Sequence, residues 1–299
     1  MGIFLDRLFA GATAGSLYVL IALALVVVFR SSSTINFAQG EFALFTSYLA
    51  WWCTTKGVPL IAALAVAIVA GFGMGVATER LLIRPVRRRS ETAVLIVALG
   101  LFTALNGADG WIWGPDDKVF PHLLPNGVND YIAIGGGRLH YDSIGIIALM
   151  IIVVFGLTML FKHTSLGLRM RAVATNPESA ALSGVRVGFV LSVSWGISSA
   201  LGAFAGVLAV PALPPNQLNL ASFFPILIFA SAAALLGGLD SVKGAVIGGL
   251  SVGIGLSMIN GYATFLGGEL QLTLAFVIIV LVLVVKPTGI FGARRIERV

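Results

Sequence analysis

The sequence predicts an all-α polytopic membrane protein, and three observations predict it. Hydrophobic residues make up 58% of the 299 residues and charged residues only 11%, where a soluble domain runs nearer ~45–50% and ~25%. The mean hydropathy is +0.99. The apolar residues fall in separate runs near the ~20 residues that cross a bilayer core. A compact soluble domain of this size lacks the interior to hide that much apolar surface. A cytosolic enzyme, a disordered chain and a nucleic-acid binder are therefore excluded.

Nine runs are expected as spans, at roughly 8–29, 35–53, 59–83, 92–112, 143–162, 188–210, 223–239, 244–265 and 269–286. The first is not read as a signal peptide, because its basic region is short and Asp6 offsets Arg7. The second is the least apolar: Asn36, Gln39, Gly40 and Glu41 occupy its first third. If that run is re-entrant there are eight spans and the N-terminus is inside; with nine it is outside. Fifteen of the 19 Lys and Arg residues fall on the side that holds loops 80–91 and 162–187 and the C-terminal tail. The other four are Arg7, Lys56, Lys118 and Arg138. The bias places the larger set, and the C-terminus, in the cytoplasm. The basic pI near 9.8 comes from these loops.

Two connections exceed a turn. Residues 113–142 form an outer loop whose Gly135–Gly137 run suggests a small hairpin. Residues 163–187 form a cytoplasmic loop that reads as helical. Asn176 reads as a helix N-cap, Pro177 as the first helical residue and Glu178 as a first-turn acid suited to the helix dipole. Gly184 reads as the stop, which leaves a helix of about two turns. A weak internal echo links 31–53 with 237–258, each a polar break followed by a small-residue helix.

No catalytic constellation is visible. No Gly is followed by Lys, so no nucleotide-binding P-loop exists. The single cysteine, Cys53, forms no internal disulfide, and His122, His140 and His163 are too scattered for a helical metal pair. The spans offer glycine instead. Gly237, Gly238, Gly244, Gly248 and Gly249, with pairs such as Gly11/Gly15 and Gly71/Gly75, favour close helix packing over a direct substrate role. The polar run at 35–42 has two readings. Asn36, Gln39, Gly40 and Glu41 line or gate a translocation path, or they start a helix at the membrane surface, with Asn36 as cap. The short helix at 177–183 likewise either lies amphipathically on lipid or docks a soluble partner.

Three pieces together resemble the branched-chain amino acid ABC transporter permeases of the LivH type. They are Ile-Asn-Phe-Ala-Gln-Gly-Glu-Phe at 35–42, Ala-Thr-Asn-Pro-Glu-Ser-Ala-Ala-Leu-Ser-Gly at 174–184, and Leu-Leu-Gly-Gly-Leu-Asp-Ser-Val-Lys-Gly-Ala-Val-Ile-Gly-Gly at 235–249. Glu178, Ala180 and Gly184 fit the family's Glu-Ala-Ala loop, with Ser179 in place of one alanine and Ala181 following. The resemblance covers nearly the full chain and implies a single transmembrane permease domain over 1–299, an ABC importer fold, with 163–187 as coupling loop and Asn176–Gly184 as coupling helix. It implies a heterodimer with a second, LivM-type permease, two cytoplasmic ATPases that hold ATP and Mg, an extracytoplasmic substrate-binding protein, and a place in the bacterial inner membrane. This chain would itself bind no cofactor and catalyse no reaction. Many family members carry His where this chain has Gln39, and urea and short-amide permeases share the scaffold as the alternative substrate class. An ion-coupled secondary transporter would instead need membrane carboxylates: Glu41 is one candidate, while Asp109 and Glu269 are placed near the outer surface.

Overall fold

In a bilayer, backbone polar groups must be satisfied within the chain, so apolar runs of this length become helices. The computed structural model describes residues 2–87, 90–127, 129–213, 216–262, 270–286 and 288–292. Arg88, Arg89, Glu269, the end of the eighth predicted run and the basic tail from 293 lie outside the described residues. Helices dominate: α1 (Gly2–Ser32), α2 (Gln39–Thr55), α3 (Leu60–Thr78), a π-helical turn (Glu79–Ile83), α4 (Arg84–Arg87) and α5 (Glu91–Trp113). After the long loop come α6 (Tyr141–His163), α7 (Ser165–Thr175), α8 (Pro177–Leu182), α9 (Val187–Ala212), α10 (Phe223–Gly237), α11 (Val242–Tyr262) and α12 (Leu270–Val285). Six of these stretches are long and apolar enough to cross a membrane alone, counting α3 through α4 as one; α10 and α12 are shorter apolar helices.

The helices run between the two ends of one bundle. One end carries a hairpin, β2 (Tyr131–Ile134) paired antiparallel with β3 (Gly137–His140). Gly135 and Gly136 turn it at φ 60° and 88°, a pair of left-handed conformations that glycine adopts without strain. The other end carries α7 and α8. Helix α1 starts at the hairpin end, where Asp6 Oδ1 accepts from Arg138 N at 2.6 Å. It finishes at the opposite end, where the Arg30 guanidinium lies 4.4 Å from the Phe161 ring centre. The 33–55 segment then returns to the hairpin end, where Lys118 sits over the Trp51 ring.

Helices α1 and α9 form the centre, with 83% and 72% of their most apolar windows buried by the rest of the chain. Each crosses one long helix closely: α1 crosses α11 and α9 crosses α3. Small residues set both approaches. A methyl group on Gly15 would lie 2.9 Å from Gly249 O, and one on Gly71 would lie 2.9 Å from Ser199 O. Helix α2 packs on α9 and α3, and α10 packs on α1 and α11. The set α1–α2–α3 is thus matched by α9–α10–α11 running in the opposite direction. Gly15 corresponds to Ser199, and the first residues of the short helices, Gln39 and Phe223, fall at the same sequence separation.

This matching relocates the internal echo. The partner of 31–53 is the non-helical stretch 216–222 with α10, not 237–258. Both α2 and α10 begin part-way through the bundle. Their 17 and 15 residues span about 26 and 22 Å at 1.5 Å per residue, less than a ~30 Å hydrocarbon core. Non-helical chain precedes each, at 33–38 and 216–222, and Gly40 at the start of α2 rests on Phe223 and Leu227 at the start of α10. The break before α10 is held from outside: β4 (Gln217–Leu218) pairs antiparallel with β1 (Lys118–Val119).

Candidate functional site

The polar run at 35–42 lies inside the protein. Asn36 and Gln39 are fully buried, and Glu41 is 1% exposed. The reading of a helix start at the membrane surface is therefore corrected: residues 33–38 carry the chain inward before α2 begins. Burial of three polar side chains demands partners. Asn36 Oδ1 accepts from Ala38 N at 3.1 Å, and its amide donates to Gln39 Oε1 at 3.1 Å. Gln39 Nε2 donates to Ser198 O at 3.1 Å. Ser198 Oγ lies 2.9 Å from Gln39 Oε1 and 2.7 Å from Ala24 O, so its one hydrogen is offered to both. One side chain thereby joins α1, α2 and α9.

Glu41 points the other way, toward α5. Its Oε2 accepts from Asn106 Nδ2 at 3.1 Å, and the same amide donates to Leu220 O at 2.9 Å in the break before α10. Three residues on from Asn106 is Asp109, fully buried although it lies one turn from the end of α5. One turn further, Trp113 stacks on Tyr48 of α2 with ring centres 5.2 Å apart and an interplanar angle of 5°. Neither Asp109 oxygen nor the Tyr48 hydroxyl has a hydrogen-bond partner among the described residues.

At the opposite end, local chemistry shapes the loop after α6. Thr164 Oγ1 accepts from Gly167 N at 3.0 Å and starts α7. Asn176 Oδ1 accepts from Ser179 N at 2.9 Å and starts α8, with Pro177 at its first position. Gly184 ends it at φ +82°. Two reverse hydrogen bonds close the turn, Gly184 N to Ala181 O and Val185 N to Ala180 O, each 3.0 Å. Ala180 is buried against the bundle, whereas Pro177, Glu178, Ser179 and Ala181 are exposed. Leu182 is 91% exposed, an apolar tip that the sequence reading did not single out. A cavity of about 550 Å³ lies beside the turn that follows α8, lined by Arg169, Gly184, Arg186 and Phe189 among others.

The glycines of 237–249 serve the α10–α11 hairpin. Gly237 and Gly244 meet backbone to backbone, Gly248 faces Ala233 O and Gly249 faces Val19 of α1. Gly238 forms the turn at φ +105°, and the segment after α12 docks there through Ile290 N to Leu236 O at 2.9 Å and Phe291 N to Gly237 O at 3.0 Å.

A further cluster was not legible in the sequence. Glu79, in the π-helical turn, accepts from Arg84 at 2.6 Å and from Ser192 Oγ of α9 at 2.6 Å. Arg84 also donates to Gly188 O at 2.8 Å. The π turn is the one available signal, since such bulges favour functional positions, but the sequence does not announce it.

A bundle of apolar helices with inverted halves, two part-length helices meeting at its middle and a capped helix exposed on one loop is a multi-pass membrane domain. Residues 7–285 match the family model described as "Branched-chain amino acid transport system / permease component", and the chain belongs to that family. It is 33% identical over 306 residues to the high-affinity branched-chain amino acid transport system permease protein BraD of Pseudomonas aeruginosa, covering 99% of this chain and 98% of that protein. It is 32% identical over 310 residues to LivH of Escherichia coli K12, with the same coverage. A probable LivH of Methanocaldococcus jannaschii is 30% identical over 292 residues, 93% of this chain and 89% of that one.

Proposed function

We propose that this chain is one permease subunit of an ATP-driven importer that carries branched-chain amino acids into a bacterial cell. The end bearing α7 and α8 is cytoplasmic, in line with the Lys and Arg bias, and the same bias assigns the C-terminus to the cytoplasm. The hairpin end faces a substrate-binding protein. A LivM-type permease pairs with this chain, and two ATPase subunits hold ATP and Mg. The observation that carries the reading is α8. It is a six-residue helix capped at both ends, with its charged residue Glu178 and apolar tip Leu182 exposed. An element fixed so firmly yet left uncovered fits a cleft on a soluble partner. Nucleotide-driven closure of the ATPases then moves α8, and rigid-body rocking of the bundle alternates access across the start of α2.

The test replaces Glu178 with Lys. The variant is expected to reach the membrane in normal amount, to lose ATPase subunits on gentle solubilisation and to lose ATP-dependent leucine uptake. Normal co-purification with normal uptake overturns the docking role of α8. Recovery of the wild-type chain without any ATPase, under conditions that preserve another ABC complex, favours an ion-coupled transporter.

A further inference from the structure

Asp109, Tyr48 and Glu41 pose a question that packing does not answer. Both oxygens of Asp109 and the hydroxyl of Tyr48 are buried without a hydrogen-bond partner. An unpaired buried carboxylate is costly, and a native fold rarely leaves one without a role. The nearby donor is already committed: Asn106 gives its amide hydrogens to Glu41 and to Leu220 O. The Glu41–Asn106 hydrogen bond and the Tyr48–Trp113 stack pin α2 to α5 at two points, and Asp109 lies between those points on α5, so the three groups line one seam between the helices. The cluster therefore lacks a positively charged donor with several hydrogens.

We infer that Asp109, Tyr48 and Glu41 form a transient acceptor for the α-ammonium group of the transported amino acid. The inference rests on the permease reading above and names the chemistry of its path. An ammonium group offers three hydrogens in a compact head, matching an all-oxygen set of two carboxylates and one hydroxyl. The wall beside it is aromatic. Trp113 stacks on Tyr48, and Phe45 meets the Trp113 ring edge-on at 5.2 Å. Such a wall receives both an aliphatic side chain and a cation. Leu220 closes the site in the present arrangement: its side chain lies on Gly110 and its carbonyl holds Asn106. Lifting the break before α10 uncovers the cluster from the hairpin end. Asp109 is a binding residue in this scheme; no bond is made or broken.

The experiment uses the full complex of both permeases, both ATPases and the binding protein, reconstituted in proteoliposomes. Uptake of labelled leucine and the label retained per complex after vanadate arrest are measured for wild type, Asp109→Asn and Tyr48→Phe. Asp109→Asn keeps shape and removes charge. It is expected to assemble, to keep ATP hydrolysis stimulated by the binding protein, and to lose uptake and retained label at least tenfold. Asp109→Glu is expected to restore part of both. Wild-type uptake and retention in Asp109→Asn overturn the inference, since a carboxyl that is only neutral filler is replaced by the amide without effect. Should Asp109→Asn fail to assemble, Tyr48→Phe decides: reduced retention supports the site and unchanged retention overturns it. A wild-type complex that hydrolyses ATP but carries no leucine overturns the branched-chain reading itself, a failure distinct from that of the site.

Discussion

Glu79 and Arg84 are held 2.6 Å apart across the π-helical turn at one end of α3, with Glu79 sealed from solvent and Arg84 partly exposed. The turn brings the two onto one side, and Ser192 and Gly188 of α9 complete the contacts. The pair therefore fastens the end of α3 to α9 next to the loop that carries α8.

The asymmetry in burial predicts an asymmetry in mutational cost. Removing Arg84 leaves a buried carboxylate with only Ser192 to satisfy it. Removing Glu79 leaves a guanidinium that reaches water and keeps Gly188 O. Arg84→Ala is expected to destabilise the purified permease by about 3 kcal/mol and Glu79→Ala by clearly less. Thermal unfolding in detergent measures both, and equal losses would show that the pair does not act in this way.

The crossing of α1 and α11 predicts a second contrast. A methyl group on Gly253 would meet the backbone of Gly11 and Gly15, whereas nothing lies within 4 Å of one on Gly73. Gly253→Ala is expected to cost about 1–3 kcal/mol through overpacking. Gly73→Ala is expected to be neutral or to gain up to about 1 kcal/mol in helix propensity. Yield and thermal stability of the two variants give the comparison, and a stable Gly253→Ala would mean that the helices can part at no cost.

Gln39 predicts a third. Leucine at this position fits the volume but leaves the Asn36 amide and Ser198 O without their partner. A loss of about 2 kcal/mol is expected from the unmet groups. Uptake per assembled complex is expected to fall more than about tenfold as well, because the residue holds Ser198, the side chain through which α9 reaches both α2 and α1. Unchanged uptake in assembled complex would leave Gln39 with a packing role alone.

Much of this molecule was written locally. The caps of α8 are single residues with single duties, Asn176 and Gly184, and their spacing gives the length of the helix. The hairpin at 131–140 is announced by three consecutive glycines. The spans follow from apolar length. Depth was not legible, because in a bilayer both the lipid-facing and the core-facing sides of a helix are apolar and periodicity fades. The burial of Asp109, one turn from the end of its run, and of the polar start of α2 was thus not announced. The Glu79–Arg84–Ser192 cluster was hidden for another reason: Ser192 lies 113 residues from Glu79 and is an ordinary serine in an apolar run.

The short ladder between β1 and β4 has a mechanical meaning. It joins the loop after α5 to the break before α10, and Asn219 adds a hydrogen bond to Asp117 at 3.0 Å. Those two stretches are far apart in the chain, yet pulling on one drags the other. A protein that lands on the 118–119 strand thereby has its hand on a lever whose far arm is Leu220. Tightness of docking and openness of the interior become a single quantity, and the ladder is the stiff joint that makes them so.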